Sequence, residues 1–352
     1  MKISNVKYQI LILMTLLVLS ACSVSTKIPE HDAGFPTPTS AINLLSSLGS
    51  IIISSPQNMI DNSSTVQPSR TTSTPDAPLN ATSISTSYPR ITPTPIPPDY
   101  WMSLPIIPTV SKNAREIYNH GIEMGRDPHA FSKIGDCQSI TTYFLKNFDQ
   151  PGFYNLGDSN ALQETIDWFS GSFSRDSMSV KGGLNAAAIL SPLRADAKLC
   201  DSNENPIACE FRLHNPSIAI ISLEEWWLNH PEKYESYLRQ IIEYSIQNGV
   251  VPILATKADN LEGNHVINQI IARLSLEYDI PLWNFWLAVQ PLQNHGLIKV
   301  DLSGKVDMFH LTRRVGYYFF NNPIARRSGW AVRNLTALQV LDVVRRGLVD
   351  QP

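Results

Sequence analysis

Cys137, Asp307 and His310 are the residues of this chain best suited to nucleophilic catalysis. Cys137 ends the sequence Gly135-Asp136-Cys137 after the first predicted strand, and Asp307 lies three residues before His310 near the C-terminus. In such a set the thiol attacks a carbonyl carbon, the histidine accepts the thiol proton and the aspartate orients the imidazole. The pattern Asp-x-x-His arises often by chance. It indicates catalysis here because it lies late in the chain, after a candidate nucleophile that lies early. The arrangement predicts acyl transfer.

Segments with strand and helix patterns alternate along the chain from about residue 100. Residues 217–223 form an almost continuous apolar run, which suits a strand buried on both faces of a parallel sheet. Strands separated by helices predict right-handed crossovers and a three-layer α/β/α fold, with ligands bound at the carboxyl ends of the strands. The predicted strands are 130–134, 178–180, 217–223, 250–255 and 281–285. The predicted helices are 114–124, 140–146, 161–169, 184–190, 234–247, 266–278 and 335–346.

The stretch from about residue 130 to 315 resembles the SGNH/GDSL hydrolases, a flavodoxin-like family of esterases and lipases. The first block of that family reads Gly-Asp-Ser after the first strand, and Gly135, Asp136 and Cys137 stand in its place here. The resemblance implies a flavodoxin-like α/β fold with a parallel sheet. It also implies hydrolysis of acyl or acetyl esters without a cofactor, on a small-molecule, carbohydrate or lipid substrate.

The same resemblance assigns roles to individual residues. The family's second block contributes an oxyanion-hole glycine, which matches Gly182 or Gly183, and its fourth block is Asp-x-x-His, which matches Asp307 and His310. The implied nucleophile is Cys137, the implied base is His310 and the implied orienting carboxylate is Asp307. The implied oxyanion hole consists of the backbone N–H groups of Cys137 and the Gly182-Gly183 turn.

Two blocks depart from the family pattern. A cysteine, Cys137, replaces the serine, and a thiolate is a competent nucleophile when a histidine or a helix N-terminus lowers its pKa. In the third block Trp226 falls where the family has an oxyanion-hole asparagine, and Glu224 replaces a glycine. Loss of one such donor costs about 10²–10³ in rate in known cases. Trp226 is also a candidate substrate contact.

Two other serines compete with Cys137 for the role of nucleophile. Gly157-Asp158-Ser159 is a literal Gly-Asp-Ser, although Asp158-Ser159 also reads as an ordinary helix start. Ser139 lies two residues after Cys137. Both alternatives stay open at this level.

The loss of the family's serine and asparagine also permits a second class of function. A catalytically degenerate protein of the same fold would bind carbohydrate or another envelope ligand. Four tryptophans are candidates for an aromatic platform in such a protein: Trp226, Trp227, Trp283 and Trp286.

The N-terminus predicts export. Residues 1–22 combine two lysines, an apolar run too short to span a bilayer, and Leu-Ser-Ala-Cys, which resembles the bacterial lipobox. By that resemblance Cys22 carries the lipid that anchors the protein to a membrane outside the cytoplasm. Residues 23–99 are rich in Ser, Thr and Pro and predict a disordered tether. Residues 100–352 make the hydrolase-like domain.

Charge and cysteine content limit the remaining classes. The formal charge of −3 argues against nucleic-acid binding, which needs a basic face. No His, Cys or Asp grouping has metal-ligand spacing, so no metal is expected. In an oxidising compartment the neighbours Cys200 and Cys209 are predicted to form a disulfide.

Overall fold

The computed structural model describes residues 97–223 and 230–349. The predicted signal segment with Cys22 and the predicted tether up to residue 96 lie outside the described residues. The same holds for 224–229, and therefore for Glu224, Trp226 and Trp227. No helix in the described ranges is both long and apolar enough to cross a bilayer.

A four-stranded parallel sheet lies at the centre of the fold. The strands are β1 (Asp127–Gly135), β2 (Pro216–Ser222), β3 (Val251–Ala255) and β4 (Leu282–Trp283), in the order β1-β2-β3-β4. All three neighbouring pairs are parallel. Every residue of β2 and β3 is buried, which confirms that their continuous apolar runs are covered on both faces.

The weak strand predicted at 178–180 is reduced to a single bridging residue. Val180 forms a parallel bridge to Gly135, on the edge of β1 away from β2, and the Gly135 N–H donates to Ser179 O at 3.0 Å. Side chains bind two other N–H groups of this segment: Met178 N–H donates to Glu210 Oε2 at 2.7 Å, and Ser179 N–H donates to Ser177 Oγ at 3.0 Å. With this bridge the spatial order is 2-1-3-4-5, the flavodoxin-like order.

Helices cover the sheet in two layers. α1 (Lys112–Glu123) contacts α8 (Gly329–Val349) as well as β2 and β3. α5 (Pro231–Gln247) and α6 (Val266–Glu277) contact each other and β3. They connect β2 to β3 and β3 to β4, and right-handed crossovers place such helices on one face of the sheet. The remaining α-helices of the described ranges are α2 (Gln163–Trp168), α3 (Ala186–Ile189), α4 (Pro206–His214) and α7 (Phe285–Val289). The α/β fold with a parallel sheet is therefore as predicted.

The helix predicted at 140–146 is wrong. Short 3-10 turns, Cys137–Ser139 and Lys146–Asp149, flank a stretch of non-helical turns. Leu145 adopts a left-handed conformation with φ of +67°, and its N–H donates to Asn334 Oδ1 of α8 at 2.6 Å. The Leu145 N–H thus bonds to a distant side chain instead of to a carbonyl of a local helix.

Two further elements differ from the sequence prediction. The strand expected at 281–285 ends at Trp283, because Asn284 accepts from the Leu287 N–H and caps α7. Helix α4 was missed, although Asn205-Pro206 is a recognisable start, and Asn205 accepts from the Ala208 N–H at 3.0 Å.

Cys200 and Cys209 form the predicted disulfide. Cys209 lies on α4 and is fully buried, so the bond attaches the loop after α3 to this helix. Replacing both cysteines by alanine is expected to lower the free energy of unfolding by about 2.7 kcal/mol, because a closed loop of about ten residues restricts the unfolded chain. Urea unfolding of the oxidised protein and the double variant measures this, and equal midpoints would contradict it.

Lys133 in β1 is a buried amine with a strongly shifted pKa. Its Nζ donates to Thr141 Oγ1 and Phe173 O, both at 3.0 Å, and only 2% of the residue is exposed. Burial lowers the pKa of Lys133 from 10.5 to about 7, against the opposing attraction of Glu210. Above that pH the folded protein holds Lys133 neutral while the unfolded chain still binds the proton.

This difference predicts a pH-dependent stability. Because the unfolded state binds more protons between pH 7 and 10, Lys133 makes the free energy of unfolding rise with pH by about 4 kcal/mol over that range. Lys133→Met removes this contribution. The free energy of unfolding of the wild type should therefore increase relative to that of the variant as pH rises. Unfolding curves of both proteins at pH 6, 8 and 10 test it. A constant difference would contradict it.

Candidate active site

The first strand delivers Cys137 to the carboxyl edge of the sheet. Gly135 ends β1, and a Cβ at this position would collide with the Ser139 hydroxyl and the Ser222 carbonyl, so a glycine is required. The buried Asp136 carboxylate accepts from the Gln138 N–H at 3.1 Å and closes the turn. Cys137 begins only a three-residue 3-10 turn. The helix N-terminus expected to favour its thiolate is therefore absent.

A buried hydrogen-bond chain connects this turn to the segment of His310. Gln138 Nε2 donates to Phe309 O at 3.0 Å, and Arg333 Nε of α8 donates to Gln138 O at 2.9 Å. Arg333 is fully buried, and its second guanidinium nitrogen donates to Ser222 Oγ at 2.6 Å. Gln138 and Arg333 were not predicted from the sequence, because neither residue belongs to a recognised motif.

Asp307 and His310 form a hydrogen-bonded pair. The His310 Nδ1 lies 3.0 Å from Asp307 Oδ2 and 3.1 Å from Oδ1. Asp307 Oδ1 also accepts the N–H groups of Phe309 and His310, at 3.0 and 2.8 Å. Because Asp307 holds Nδ1, the opposite ring nitrogen, Nε2, is the one left to accept a proton.

The electrostatics of Asp307 favour its ionised form. Partial burial raises the pKa of this carboxyl, but the backbone N–H groups of His310 and Phe309 and the His310 ring outweigh it, so the pKa lies below its ordinary value. Asp307 therefore stays negatively charged beside the imidazole. Such a carboxylate orients the ring and stabilises the imidazolium that forms when the ring takes a proton.

One cavity of about 680 Å³ brings the predicted site residues together. Cys137, Gly183, Asp307 and His310 all contribute to its wall. Gly183 has a φ of +74°, and a Cβ added there would meet nothing within 4 Å, whereas Gly182 is not part of the wall. The other lining residues include both apolar and charged side chains: Asp136, Leu184, Leu261, Asp301, Lys305, Val306, Met308 and Phe309.

The competing serines do not reach this cavity. Gly157-Asp158-Ser159 lies in a 3-10 turn, Gly157–Leu162, and none of its residues lines the cavity. Ser139 is only 1% exposed, and its hydroxyl has no hydrogen-bond partner. Of the three candidate nucleophiles, Cys137 alone lies with His310.

The proposed aromatic platform is wrong for one of its four members. Trp283 lies on β4 with 0% exposure and packs against Phe144 and Phe285 in the core. Trp286 is half-buried and lines a neighbouring cavity of about 270 Å³, which shares Leu261 and Met308 with the larger one. Trp226 and Trp227 lie outside the described residues.

Within the described ranges, three potential metal ligands lie close together: Cys200, Glu204 and Cys209. Both sulfurs belong to the disulfide, and a metal ligand must be a thiolate. Glu204 pairs with Arg212 at 2.7 Å. The group therefore does not form a metal site.

Comparison with known proteins adds no relative. No family model, no curated protein and no solved structure matches this chain. The resemblance to the SGNH/GDSL hydrolases therefore depends on the motifs described above.

Proposed function

We propose that this protein is an exported ester hydrolase of the SGNH/GDSL type, anchored to a membrane by a lipid on Cys22. The observation that carries the proposal is the cavity that holds Cys137, Gly183 and His310, with His310 Nδ1 3.0 Å from Asp307. Its site follows the carboxyl end of β1, where ligands bind in sheets of this order.

The proposed reaction has two steps. The Cys137 sulfur attacks the ester carbonyl carbon while His310 Nε2 takes the thiol proton, and the resulting oxyanion accepts hydrogen bonds from the N–H groups of Cys137 and Gly183. Collapse releases the alcohol, which takes the proton from His310, and leaves a thioester on Cys137. A water molecule, deprotonated by His310, then attacks the thioester carbon. The C–S bond breaks, the Cys137 sulfur takes the proton back from His310, and the carboxylic acid is released. Asp307 orients His310 throughout.

The walls of the cavity suggest which part of the substrate lies there. Leu184, Leu261, Val306 and Phe309 would surround the acyl group, and Asp301 and Lys305 would face a polar group. An acyl ester of an envelope carbohydrate or lipid fits this division.

Turnover of a short-chain p-nitrophenyl ester tests the proposal. His310→Ala should lower kcat/KM by about 10²–10⁴, because it removes the general base. His120→Ala is the matched control, since His120 is an exposed histidine on α1. Equal rates in the wild type and His310→Ala would overturn the proposal.

A binding protein of the same fold is the second candidate. The sequence observation that favours it is the replacement of the family's serine by Cys137 and of its asparagine by Trp226. It would use the same cavity for a carbohydrate or another envelope ligand without turnover. Saturable binding of a ligand, together with ester turnover that does not depend on His310, would favour it.

A further inference from the structure

A separate cavity of about 330 Å³ includes Thr312, Arg313 and Arg314, which lie two to four residues after His310 in the chain. Four cationic side chains contribute to its wall: Lys299, Arg313, Arg314 and Arg327. The other lining residues are Gln293, Asn294, Leu297 and Thr312. The wall therefore combines hydrogen-bond donors with positive charge and contains no carboxylate among the described residues.

The four cations are not neutralised within the part of the chain that the structure describes. All four are exposed, and none forms an ion pair within residues 97–223 and 230–349. Arg313 lies over the ring of Tyr143, with its guanidinium carbon 5.2 Å from the centroid, which restrains this side chain. The whole chain carries a formal charge of −3, so this cavity is positively charged in a protein whose net charge is negative.

The N-terminus of α8 adds to the positive potential. Thr312, in the cavity wall, accepts the first N–H groups of this helix: Gly329 N–H donates to its Oγ1 at 2.9 Å and Trp330 N–H to its carbonyl at 3.1 Å. α8 has 21 residues, and its dipole places partial positive charge at this end. Thr312 therefore connects this helix terminus to the wall that carries the four cations.

We propose that this cavity binds the phosphate group of an anionic ligand. Guanidinium groups match phosphate oxygens with paired donors, and a phosphate monoester carries about −1.5 to −2 charges at neutral pH, which several cations are needed to balance. The cavity also has room for organic atoms next to the phosphate. Arg313 follows His310 by three residues, at most about 11 Å of chain, so the ligand lies close to the candidate active site.

Two sources could present this phosphate, a soluble phosphate ester or the headgroup of an anionic lipid. Val315 and Ile324 lie within three residues of the arginines and are 99% and 64% exposed, so exposed apolar side chains accompany the cations in the chain. Titration with inorganic phosphate and with vesicles separates the two sources. Neither measurement needs ester turnover, so this proposal and the proposed hydrolase activity fail independently.

The test uses the full chain with Cys22→Ser, so that no lipid is added there. The cavity variant is Arg313→Gln/Arg314→Gln/Arg327→Gln. The matched control, Arg194→Gln/Lys198→Gln/Lys233→Gln, removes the same charge from three other exposed positions. In calorimetric titration with inorganic phosphate at low salt, the cavity variant should bind about tenfold more weakly, and the control within about twofold of the parent.

Sedimentation with phosphatidylcholine vesicles, with and without phosphatidylglycerol, provides the second arm. If the parent prefers the anionic vesicles and the cavity variant binds them on the order of 100-fold more weakly, the ligand is a lipid headgroup. Phosphate binding without vesicle preference identifies a soluble phosphate ester. The proposal is overturned if the parent binds neither probe, or if the cavity variant and the control behave alike. Equal melting temperatures of the three proteins establish that all are folded.

Discussion

Replacing Cys137 by alanine is expected to abolish ester turnover, with a loss of at least about 10³ in kcat/KM for a short-chain p-nitrophenyl ester. Cys137 supplies the only candidate nucleophile in the cavity with His310, within the described residues. Its removal leaves the oxyanion donors and binding but no covalent step. Cys137 is only half-buried, so its replacement should leave the melting temperature nearly unchanged, and equal melting temperatures check this.

Cys137→Ser and thiol labelling sharpen this test. Serine is the nucleophile of the SGNH/GDSL hydrolases, so Cys137→Ser should keep more turnover than Cys137→Ala. In a Cys22→Ser background, iodoacetamide at pH 7 should label Cys137 faster than a model thiol, and His310→Ala should slow it, because an adjacent imidazolium favours the thiolate. Labelling only after denaturation would contradict a reactive thiol and favour the binding function.

The second large effect is expected at Arg333. Its guanidinium is fully buried, donates to Gln138 O and Ser222 Oγ, and lies about 5 Å from the ring centroids of Phe144, Trp283 and Phe285. Arg333→Ala should lower the free energy of unfolding by about 3–5 kcal/mol, because it removes this packing and leaves two buried acceptors without their donors.

Urea unfolding followed by tryptophan fluorescence measures the cost. Arg326→Ala is the control, because Arg326 is an exposed arginine in the turn before α8, and its removal should change the free energy by less than about 0.5 kcal/mol. Arg333→Lys keeps the charge without the planar fork and should be intermediate. A cost below about 1 kcal/mol for Arg333→Ala would contradict a structural role of the buried guanidinium.

Arg333 is also expected to be a positioning residue for the candidate site. It holds the carbonyl of Gln138, whose side chain in turn donates to Phe309 O next to His310. At a temperature where Arg333→Lys is fully folded, its kcat should fall more than its KM changes, because the misplaced groups act in the reaction. A change in stability with an unchanged kcat would show that Arg333 serves the fold alone.

Local patterns in the sequence were sufficient for much of the fold. Continuous apolar runs identified β2 and β3, because a strand buried on both faces needs apolar side chains at every position. Helical spacing identified α1, α5 and α6 to within a few residues. Close sequence spacing, with the expectation of an oxidising compartment, was sufficient to pair Cys200 with Cys209.

The sequence also determined the Asp307-His310 pair, since both residues lie in one short motif and their hydrogen bond is local.

Tertiary structure alone decided which elements support this pair. A charged residue on a helix is normally placed at the surface, yet Arg333 lies in the core because α8 is buried on several sides. Leu145 is held in a left-handed conformation by Asn334, 189 residues away, and this long-range bond prevents the helix expected at 140–146. The cationic cavity likewise collects Lys299, Arg313, Arg314 and Arg327 from separate segments, which no local pattern brings together.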